Sequence, residues 1–310
     1  MHNQKFSKWM ENLPNTLIKL PICDLAIPGS HDSFTYSIKR SSDISPDADA
    51  IIIYLIKLFG RYAKSLVYRW AVTQDLNTLE QLEKGIRYFD IRLAFNEKNG
   101  IIYTCHSLYG QPILNDLKII KEFLEINTKE IVFLDFNHYY NFSKMEHLLF
   151  LNILQDVFGD LLVTFFYPLP SLLKLWEINQ RVFIFYRFEC NGKNWIWPGD
   201  FIPNPWGNTD NVNCLIDFLD LNYKNRRHEV DRFYVTQGIL TPTAKTIIKH
   251  LFTGNLRNTL AKKLAPKFMR WLSTTCCGPC NTNCVIINFF NDTDFVSNII
   301  DLNIKNSETI

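Results

Sequence analysis

The 310-residue sequence predicts an α/β fold, a single distorted TIM (β/α) barrel with a helical insertion after its first strand. Short apolar runs alternate with helical stretches along nearly the whole chain, which indicates a parallel sheet covered by helices. Seven or eight such strands in one chain indicate a closed barrel. No linker rich in Ser or Gly divides the sequence, so we expect one domain over residues 1–310, with its core at about 9–300.

Each predicted strand is a short apolar run that ends at turn residues or polar side chains. We expect strands at residues 22–27, 87–95, 101–105, 129–136, 181–187, 233–237 and 285–289. We expect helices at residues 49–72, 78–85, 114–126, 145–157 and 171–176, and a helical region at 242–272. The stretch 191–211 has no period and predicts a long loop within the same domain, because the strand pattern resumes after it.

The predicted helical insertion at residues 49–72 alternates apolar side chains with basic ones. The basic side chains are Lys57, Arg61, Lys64 and Arg69. Such a helix can pack its apolar face on the core and expose its charges, or it can rest on an anionic membrane surface. The first interpretation is favoured, because ordinary amphipathic helices have the same pattern.

Charge and hydropathy exclude several classes of protein. With 33 basic and 31 acidic residues the chain has a formal net charge of +2, so nucleic-acid binding is not expected. The first residues lack the long apolar segment of a secretory signal, which predicts a cytoplasmic protein. No apolar run approaches the roughly 20 residues of a membrane-spanning helix, so any membrane association is expected to be peripheral. The sequence leaves the oligomeric state open.

Eight cysteines are present, and half of them lie close together. The clustered ones are Cys276, Cys277, Cys280 and Cys284, and the scattered ones are Cys23, Cys105, Cys190 and Cys214. Four thiolates can hold zinc, but this spacing lacks the paired C-x₂-C pattern and any histidine. A loop of reduced thiols is therefore favoured over a zinc site, and the scattered cysteines are expected to be small buried apolar residues.

Polar side chains lie at or just past the ends of the predicted strands. They are His31 and Asp32, Arg87, Asp90 and Arg92, His106, Asp135, Asn137 and His138, Arg187, Tyr234 and Gln237, and Asn288. Singly they have ordinary explanations, such as a helix N-cap for Asp32 or an ion pair of Asp90 with Arg92. The carboxyl ends of parallel barrel strands meet at one rim, where catalytic groups lie in such folds. Their shared position therefore favours an active site.

Two histidines beside carboxylates suit a reaction that needs a base and then an acid. An arginine between them adds fixed donors for a phosphate oxygen. Together they suit the attack of a hydroxyl group on a phosphodiester. A serine esterase is less favoured: Ser30 and His31 are adjacent on an extended chain and point apart, and no Gly-x-Ser-x-Gly motif occurs.

Three motifs carry a family resemblance: AIPGSHDS at 26–33, GIRYFDIR at 85–92 and TCHSLY at 104–109. They resemble the X domain of phosphatidylinositol-specific phospholipases C. Residues 131–138 and 233–242 extend the resemblance, which covers about residues 9–300. It is closest to the small eukaryotic X-domain-containing proteins that lack the PH, EF-hand, Y and C2 portions of the large signalling enzymes. The fold that it implies is a distorted TIM barrel.

The resemblance implies roles for the central residues. His31 would be the general base that takes the proton from the inositol 2-hydroxyl, and His106, oriented by Asp32, the general acid for the diacylglycerol leaving group. Arg92 lies where the calcium-dependent enzymes have an acidic metal ligand and the bacterial enzymes have an arginine. We therefore expect chemistry without calcium and without any other cofactor. Asp90 would orient Arg92 or contact the 2-hydroxyl.

The resemblance also implies a head-group pocket. Its residues would be Arg187 and Tyr234, with Asn137, His138 and Gln237 as further candidates. The family usually has an aspartate on the last strand to hold the base, and the matching position is Asn288, unless Asp292 or Asp294 serves instead. The pocket lysine of the bacterial enzymes is not evident, which leaves head-group specificity open.

Two functions follow from the resemblance. The leading one is a phosphoric diester hydrolase or lyase of the phospholipase C type, which acts on an inositol phospholipid at a membrane surface. The other is a weakly active or inactive X domain that binds inositol lipids or a protein partner, because an amide at Asn288 brings no charge to the base.

Overall fold

The computed structural model describes residues 4–165, 167–188, 192–226 and 231–307. The strands are β1 (Ile27–Ser30), β2 (Tyr88–Asn96), β3 (Ile101–His106), β4 (Leu108–Pro112), β5 (Val132–Tyr140), β6 (Val182–Tyr186), β7 (Ile196–Pro198), β8 (Val235–Gly238) and β9 (Cys284–Ile287). The helices are α1 (Gln4–Ser7), α2 (Ala50–Phe59), α3 (Arg61–Ala71), α4 (Thr78–Glu83), α5 (Ile113–Ile126), α6 (Lys144–Phe158), α7 (Leu172–Glu177), α8 (Val212–Asn225), α9 (Ala244–Lys249), α10 (Lys262–Leu272) and α11 (Phe295–Ser307).

Seven parallel strands form a curled sheet in the order β7-β6-β5-β2-β1-β9-β8. Between β7 and β8 no strand pairing occurs in the described ranges. The segment after β7 reaches β8 through separate backbone hydrogen bonds, from Phe233 N to Phe201 O (3.0 Å) and from Val235 N to Pro203 O (2.9 Å). The distorted barrel and the helical insertion after β1 are thus confirmed, with this irregular seam as the distortion.

Alternation along the strands divides the core into two layers. Tyr88, Phe133 and Phe183 belong to a buried cluster inside the barrel. Their strand neighbours Phe89 and Leu134 belong to a second cluster, which packs against the surrounding helices. Side chains at every second position of a strand therefore face the barrel axis, and at the carboxyl ends of the strands they face the cleft.

Several predicted elements needed correction. The first strand starts only at Ile27, because Ile22–Asp24 form a 3-10 turn. The third predicted strand, β3, pairs antiparallel with β2 and with the unpredicted β4, so it extends the sheet as a hairpin. The predicted loop at 191–211 contains β7, and helix α8 was not predicted. The helical region at 242–272 consists of α9, a π-helical turn at Arg257–Ala261 and α10.

The predicted helix at 49–72 is two helices, α2 and α3, that meet at Gly60. Gly60 has a φ of +51°, a conformation that glycine adopts without the steric cost of a side chain. No helix within the described ranges is long and apolar enough to cross a membrane.

The clustered cysteines contact separate partners. The Sγ of Cys277 donates to the carbonyl of Leu302 at 3.3 Å, and the Sγ of Cys276 lies 3.3 Å from the hydroxyl of Tyr223. Within the described part of the chain, the four sulfurs do not gather into a metal-ligating group. Of the scattered cysteines, Cys23 and Cys105 are buried as expected, but Cys214 is exposed on α8, so the expectation was wrong for it. Cys190 lies outside the described residues.

Candidate active site

A cleft of about 880 Å³ opens at the carboxyl ends of the strands. Predicted site residues that line it are His31, Asp90, Arg92, His106, Asn137, His138, Arg187, Gln237 and Asn288. Asp32 is buried beside its floor, with 3% of its surface exposed. The structure therefore brings together the residues given catalytic or head-group roles, except Tyr234. Arg87, which was listed with the polar side chains at the strand ends, does not line the cleft: it is fully buried and pairs with Glu130.

Tyr234 precedes β8, so it lies at the end of the strand opposite the cleft. Its ring packs 4.6 Å from the Arg226 guanidinium, and its hydroxyl donates to Asn222 Oδ1 at 3.4 Å. The structure therefore does not place Tyr234 with the other predicted head-group residues. The strand begins at Val235, two residues later than expected, and the neighbours Phe233 and Val235 face the barrel interior, so the side chain of Tyr234 faces outwards. Gln237, three residues further on, does reach the cleft and donates to Asn204 Oδ1 at 2.6 Å.

The turn after β1 presents His31 and Asp32. Gly29 allows a close approach here, because a Cβ atom at this position would lie 2.8 Å from side-chain atoms of Ile286 and Tyr88. Asp32 has a φ of +41°, which is uncommon for a residue with a side chain. The Asp90 carboxylate stabilises this conformation by accepting a hydrogen bond from Asp32 N at 3.1 Å.

His31 lies between an amide and two carboxylates. Its Nδ1 is 2.8 Å from Asn288 Oδ1, and its Nε2 is 3.3 Å from Asp32 Oδ2 and 3.7 Å from Asp90 Oδ2. If Nδ1 carries the hydrogen and donates to Asn288, Nε2 is left as the basic nitrogen. Of the alternative aspartates, Asp292 pairs with Arg257 and Asp294 lies in another surface depression. Asn288 is thus the residue placed against His31.

His106 has a partner that the sequence could not indicate. Its Nδ1 lies 2.6 Å from the carbonyl oxygen of Ala71, at the end of α3, and only 3.7 Å from Asp32 Oδ2. The last carbonyls of a helix lack partners within the helix, so one is free to fix this ring. The expected orienting role of Asp32 is therefore shared with a backbone group.

Residues 71–75, which we call the strap, contact both histidines. Beyond Ala71, the Thr73 hydroxyl donates to the carbonyl of His31 at 2.9 Å. The buried Gln74 side chain donates from Nε2 to the carbonyls of His31 (3.1 Å) and Ile287 (2.8 Å). The strap therefore ties the turn after β1 to the end of β9. Neither Thr73 nor Gln74 was predicted as a site residue, since neither lies at the end of a strand.

Asp32 is the electrostatic centre of the site. Burial alone would raise the pKa of its carboxyl group, but the charge of Arg92, with smaller contributions from His31 and His106, holds that pKa well below its usual range. The Arg92 Nε lies 2.6 Å from Asp32 Oδ1. Burial lowers the pKa of Arg92, but the negative charges of Asp32 and Asp90 raise it by more. The pKa of Arg92 is therefore above its usual value. Both groups are therefore ionised near neutral pH.

A bulge between β2 and β5 shapes the next part of the site. Ile91 pairs with Phe136 but Arg92 pairs with His138, so Asn137 is the extra residue. Its side-chain nitrogen donates to Asp90 Oδ1, and its oxygen lies 2.7 Å from His138 Nδ1. Burial and the nearby Arg92 charge lower the pKa of His138, so its imidazole favours the neutral form.

Arg187 lies across the cleft in a network of its own. Its Nη2 is 3.1 Å from Asp135 Oδ2, which also accepts a hydrogen bond from the Tyr88 hydroxyl at 2.7 Å. Asp135 and Tyr88 are fully buried, so they fix the guanidinium from inside the barrel. Arg187 also donates from Nη1 to the carbonyl of Gly199 (3.4 Å) and from Nη2 to the carbonyl of Ile202 (3.1 Å). A guanidinium has five N–H donors, so those that remain can still donate to a ligand in the cleft.

His31, Asp32 and Asp90 have ligand atoms within 4.8 Å of one another, a spacing that suits a cation. The Arg92 guanidinium, however, contacts the Asp32 carboxylate directly. A positive charge at this place opposes a second cation there.

No family model matches the chain. Among curated proteins, it is 36% identical to PI-PLC X domain-containing protein 3 of Danio rerio over 303 residues, 96% of this chain and 94% of the relative. It is 41% identical to PI-PLC X domain-containing protein 2 of Homo sapiens over 260 residues, 81% of this chain and 83% of the relative.

Solved structures with the same fold include two bacterial enzymes. One is a mutant of the phosphatidylinositol-specific phospholipase C of Staphylococcus aureus, with a TM-score of 0.70, 18% identity and 97% of both chains covered. The other is the phosphatidylinositol-specific phospholipase C of Listeria monocytogenes, with a TM-score of 0.66 and 18% identity over 96% of this chain and 98% of that chain. The resemblance seen in the sequence is thereby confirmed: the chain belongs to the family of PI-PLC X domain-containing proteins.

Proposed function

We propose that this protein is a phospholipase C-type phosphoric diester hydrolase or lyase that acts on an inositol phospholipid without calcium. The observation that carries the proposal is the cluster of two imidazoles and one guanidinium around Asp32. It supplies a base, an acid and a fixed positive charge within one cleft. The shared fold with bacterial phosphatidylinositol-specific phospholipases C supports the same substrate class.

In this mechanism His31 Nε2 removes the proton from the inositol 2-hydroxyl. The resulting oxygen attacks phosphorus, and the bond from phosphorus to the glycerol oxygen breaks. A protonated His106 gives its proton to that oxygen, so diacylglycerol leaves and a cyclic inositol phosphate remains, which water can open in a second step. Arg92 donates to the phosphate oxygens, whose charge builds up as the bond forms. Ionised Asp32 stabilises both imidazolium ions in turn.

Metal independence is the first testable consequence. Because Arg92 supplies the positive charge that calcium would supply, turnover of phosphatidylinositol vesicles is expected to be unchanged in EDTA. The measurement is the release of water-soluble inositol phosphate by the purified protein, with added calcium as the comparison. Loss of turnover in EDTA that calcium restores would show that Arg92 does not replace the metal.

The corner between α2 and α3 is a candidate membrane contact. Tyr54, Leu58, Phe59 and Tyr62 are 57–72% exposed there, although large apolar side chains usually pack inside. Lys57 and Arg61 lie among them and are exposed. Apolar and basic side chains on one surface suit an anionic bilayer, and this insertion also lines the cleft. We therefore propose that this corner rests on the membrane that holds the substrate.

A Leu58→Ser, Phe59→Ser double variant is expected to bind anionic vesicles at least tenfold more weakly. Burial of one such side chain is worth about 1.5–3 kcal/mol, which is more than tenfold in affinity. Co-sedimentation with phosphatidylinositol-containing vesicles measures it. Leu221→Ser is the matched control, because Leu221 is 59% exposed on α8, outside this corner. If Leu221→Ser weakened vesicle binding as much as the double variant does, the proposal that the corner contacts the membrane would be contradicted.

Asn288 favours the second function, a weakly active domain that binds inositol lipids or a protein. It lies 2.8 Å from His31 but brings no charge to an imidazolium. In Asn288→Asp, a carboxylate would stabilise the imidazolium that forms when His31 takes the proton, so turnover is expected to rise about tenfold. Initial rates measure this, with Asn258→Asp as an exposed control of equal charge. Vesicle binding without turnover in both the natural protein and Asn288→Asp would favour the binding function.

A further inference from the structure

We propose that the apolar half of the cleft is a subsite for the glyceride part of the lipid, the glycerol and the first carbons of its acyl chains. This inference rests on the proposed function and specifies how that site takes its substrate. The polar half of the cleft contains Arg92, Arg187 and Gln237. The other half, which we call the slot, has two apolar walls with space between them.

One wall of the slot is a stripe on α3. Ala63, Leu66, Val67 and Trp70 recur at the i, i+3, i+4, i+7 spacing that places side chains on one helix face. The opposite wall comes from α9 and the turn after it, with Ile247, Ile248 and Leu251. Leu66, Val67, Ile247 and Leu251 are only half-buried, so apolar surface in both walls lacks protein packing.

The position of the two walls is fixed by one side chain. Arg69 donates from Nη2 to the carbonyl of Leu251 at 2.6 Å, and from Nη1 to the carbonyls of Phe252 (2.9 Å) and Gly254 (3.1 Å). These hydrogen bonds tie α3 to the turn that follows α9. The slot is therefore a built feature of the fold and not a gap between independent helices.

The inner end of the slot lies at the proposed acid. Ala71, the residue after Trp70, holds His106 through its carbonyl. Since His106 gives its proton to the glycerol oxygen, the glyceride must leave the phosphate at this end. Ala71 lies nine positions after the exposed Tyr62 on α3, about 14 Å along the helix at 1.5 Å per residue. An acyl chain can therefore run along the α3 stripe from the scissile bond towards the α2–α3 corner.

Trp70 is the innermost side chain of the α3 stripe and is 93% buried. The slot therefore presents apolar surface up to the residue beside Ala71, whose carbonyl holds His106. A glyceride brings ester carbonyls and apolar chains together, whereas an inositol ring brings only hydroxyl groups. The chemistry of the slot therefore fits the glyceride.

Short-chain phosphatidylinositols test the slot, because they stay monomeric and need no membrane. When their acyl chains are lengthened one methylene at a time, kcat/KM is expected to rise about fourfold per methylene until the slot is full. Leu66→Gln is expected to flatten this rise, so that its loss in kcat/KM grows with the length of the acyl chains. Val67→Ser is a second variant, and Leu221→Gln is the control outside the cleft. A natural protein with no chain-length dependence, or a Leu66→Gln variant that keeps it, would overturn the inference.

Binding of a short-chain diacylglycerol separates this inference from the proposed function. Titration calorimetry is expected to show binding to the natural protein and at least tenfold weaker binding to Leu66→Gln. If that holds while no phosphatidylinositol is turned over, the slot stands and the proposed enzyme function fails. If turnover occurs but the glyceride does not bind, the slot fails alone. A dimer in size-exclusion chromatography that the glyceride cannot dissociate would assign the slot to a second copy of the chain.

Discussion

Replacement of His31 or His106 by alanine is expected to lower the turnover of phosphatidylinositol by about 10²–10⁴-fold, the usual contribution of a positioned acid or base. The His31 imidazole contacts Asn288 through Nδ1 and lies near Asp32 and Asp90 through Nε2. Since it is the proposed base, its replacement by alanine removes the group that accepts the proton. The measurement is the initial rate of inositol phosphate release in EDTA. His250→Ala is the control, because His250 lies outside the cleft residues. Vesicle binding should be unchanged in all three variants, and a rate within twofold of the natural protein would contradict the mechanism.

The two histidines can be told apart by the leaving group. A substrate with an aryl leaving group needs no proton from an acid, because the departing oxygen is already stable as an anion. His106→Ala is therefore expected to recover most of its rate on an aryl inositol phosphate, whereas His31→Ala should stay inactive. If both variants recover, or neither does, the assignment of base and acid is wrong.

The convergence of these groups could be predicted because it depends on two general features of parallel barrels, the alternation of side chains along a strand and the meeting of the strand ends at one rim. Tyr88, Asp90 and Arg92 alternate along β2, so if the first faces the barrel axis the other two face it as well. The carboxyl ends of parallel strands meet at one rim, which brings His31 and Asn288 together from opposite ends of the chain. Neither inference needs knowledge of exact strand bounds.

Other parts of the site depend on details that side-chain patterns do not encode. The carbonyl of Ala71 holds His106, and a backbone oxygen is the same at every residue. The bulge at Asn137 shifts β5 by one residue against β2 without any glycine to mark it. Tyr234 was misplaced for a related reason: β8 begins two residues later than predicted, and alternation turns Tyr234 away from the interior that Phe233 and Val235 face.

The irregular seam between β7 and β8 is a part of the fold that local side-chain patterns also do not encode. β7 is only three residues long and lies within a stretch without periodicity, which predicts a loop. Its pairing with β6 and the backbone hydrogen bonds from 201–203 to 233–235 depend on long-range contacts that no local pattern carries. The strap was missed similarly, because Gln74 acts between two strands that are distant in sequence.

An Arg92→Met variant is expected to lose both turnover and stability. Without this guanidinium, the cluster around Asp32 has no fixed positive charge to offer the phosphate, a loss of about 10²–10³-fold in rate. The Asp32 carboxylate would also stay buried without its closest charged partner, which costs about 3–5 kcal/mol in the free energy of unfolding. Arg257→Met is the control for stability. Arg257 pairs with Asp75 and Asp292 at a partly exposed site, where an ion pair is worth about 0–1 kcal/mol.

The pH dependence of the stability loss in Arg92→Met tests whether the loss comes from the charge of Asp32. In the natural protein the pKa of Asp32 lies below its unfolded value of about 3.9, so its ion pairing adds stability above that pH and the gain is lost as the pH falls towards the folded pKa. In Arg92→Met, burial becomes the main influence and raises the pKa of Asp32, so folding then favours the protonated acid. The difference in thermal midpoint between the two proteins should therefore grow as the pH rises towards 7 and shrink as the pH falls below the usual range of a carboxyl group. Arg92→Lys, which keeps the charge but not the planar fork, should keep most of the stability while turnover stays reduced. A difference in midpoint that does not change with pH would show that Arg92 stabilises the fold by packing and not through the Asp32 charge.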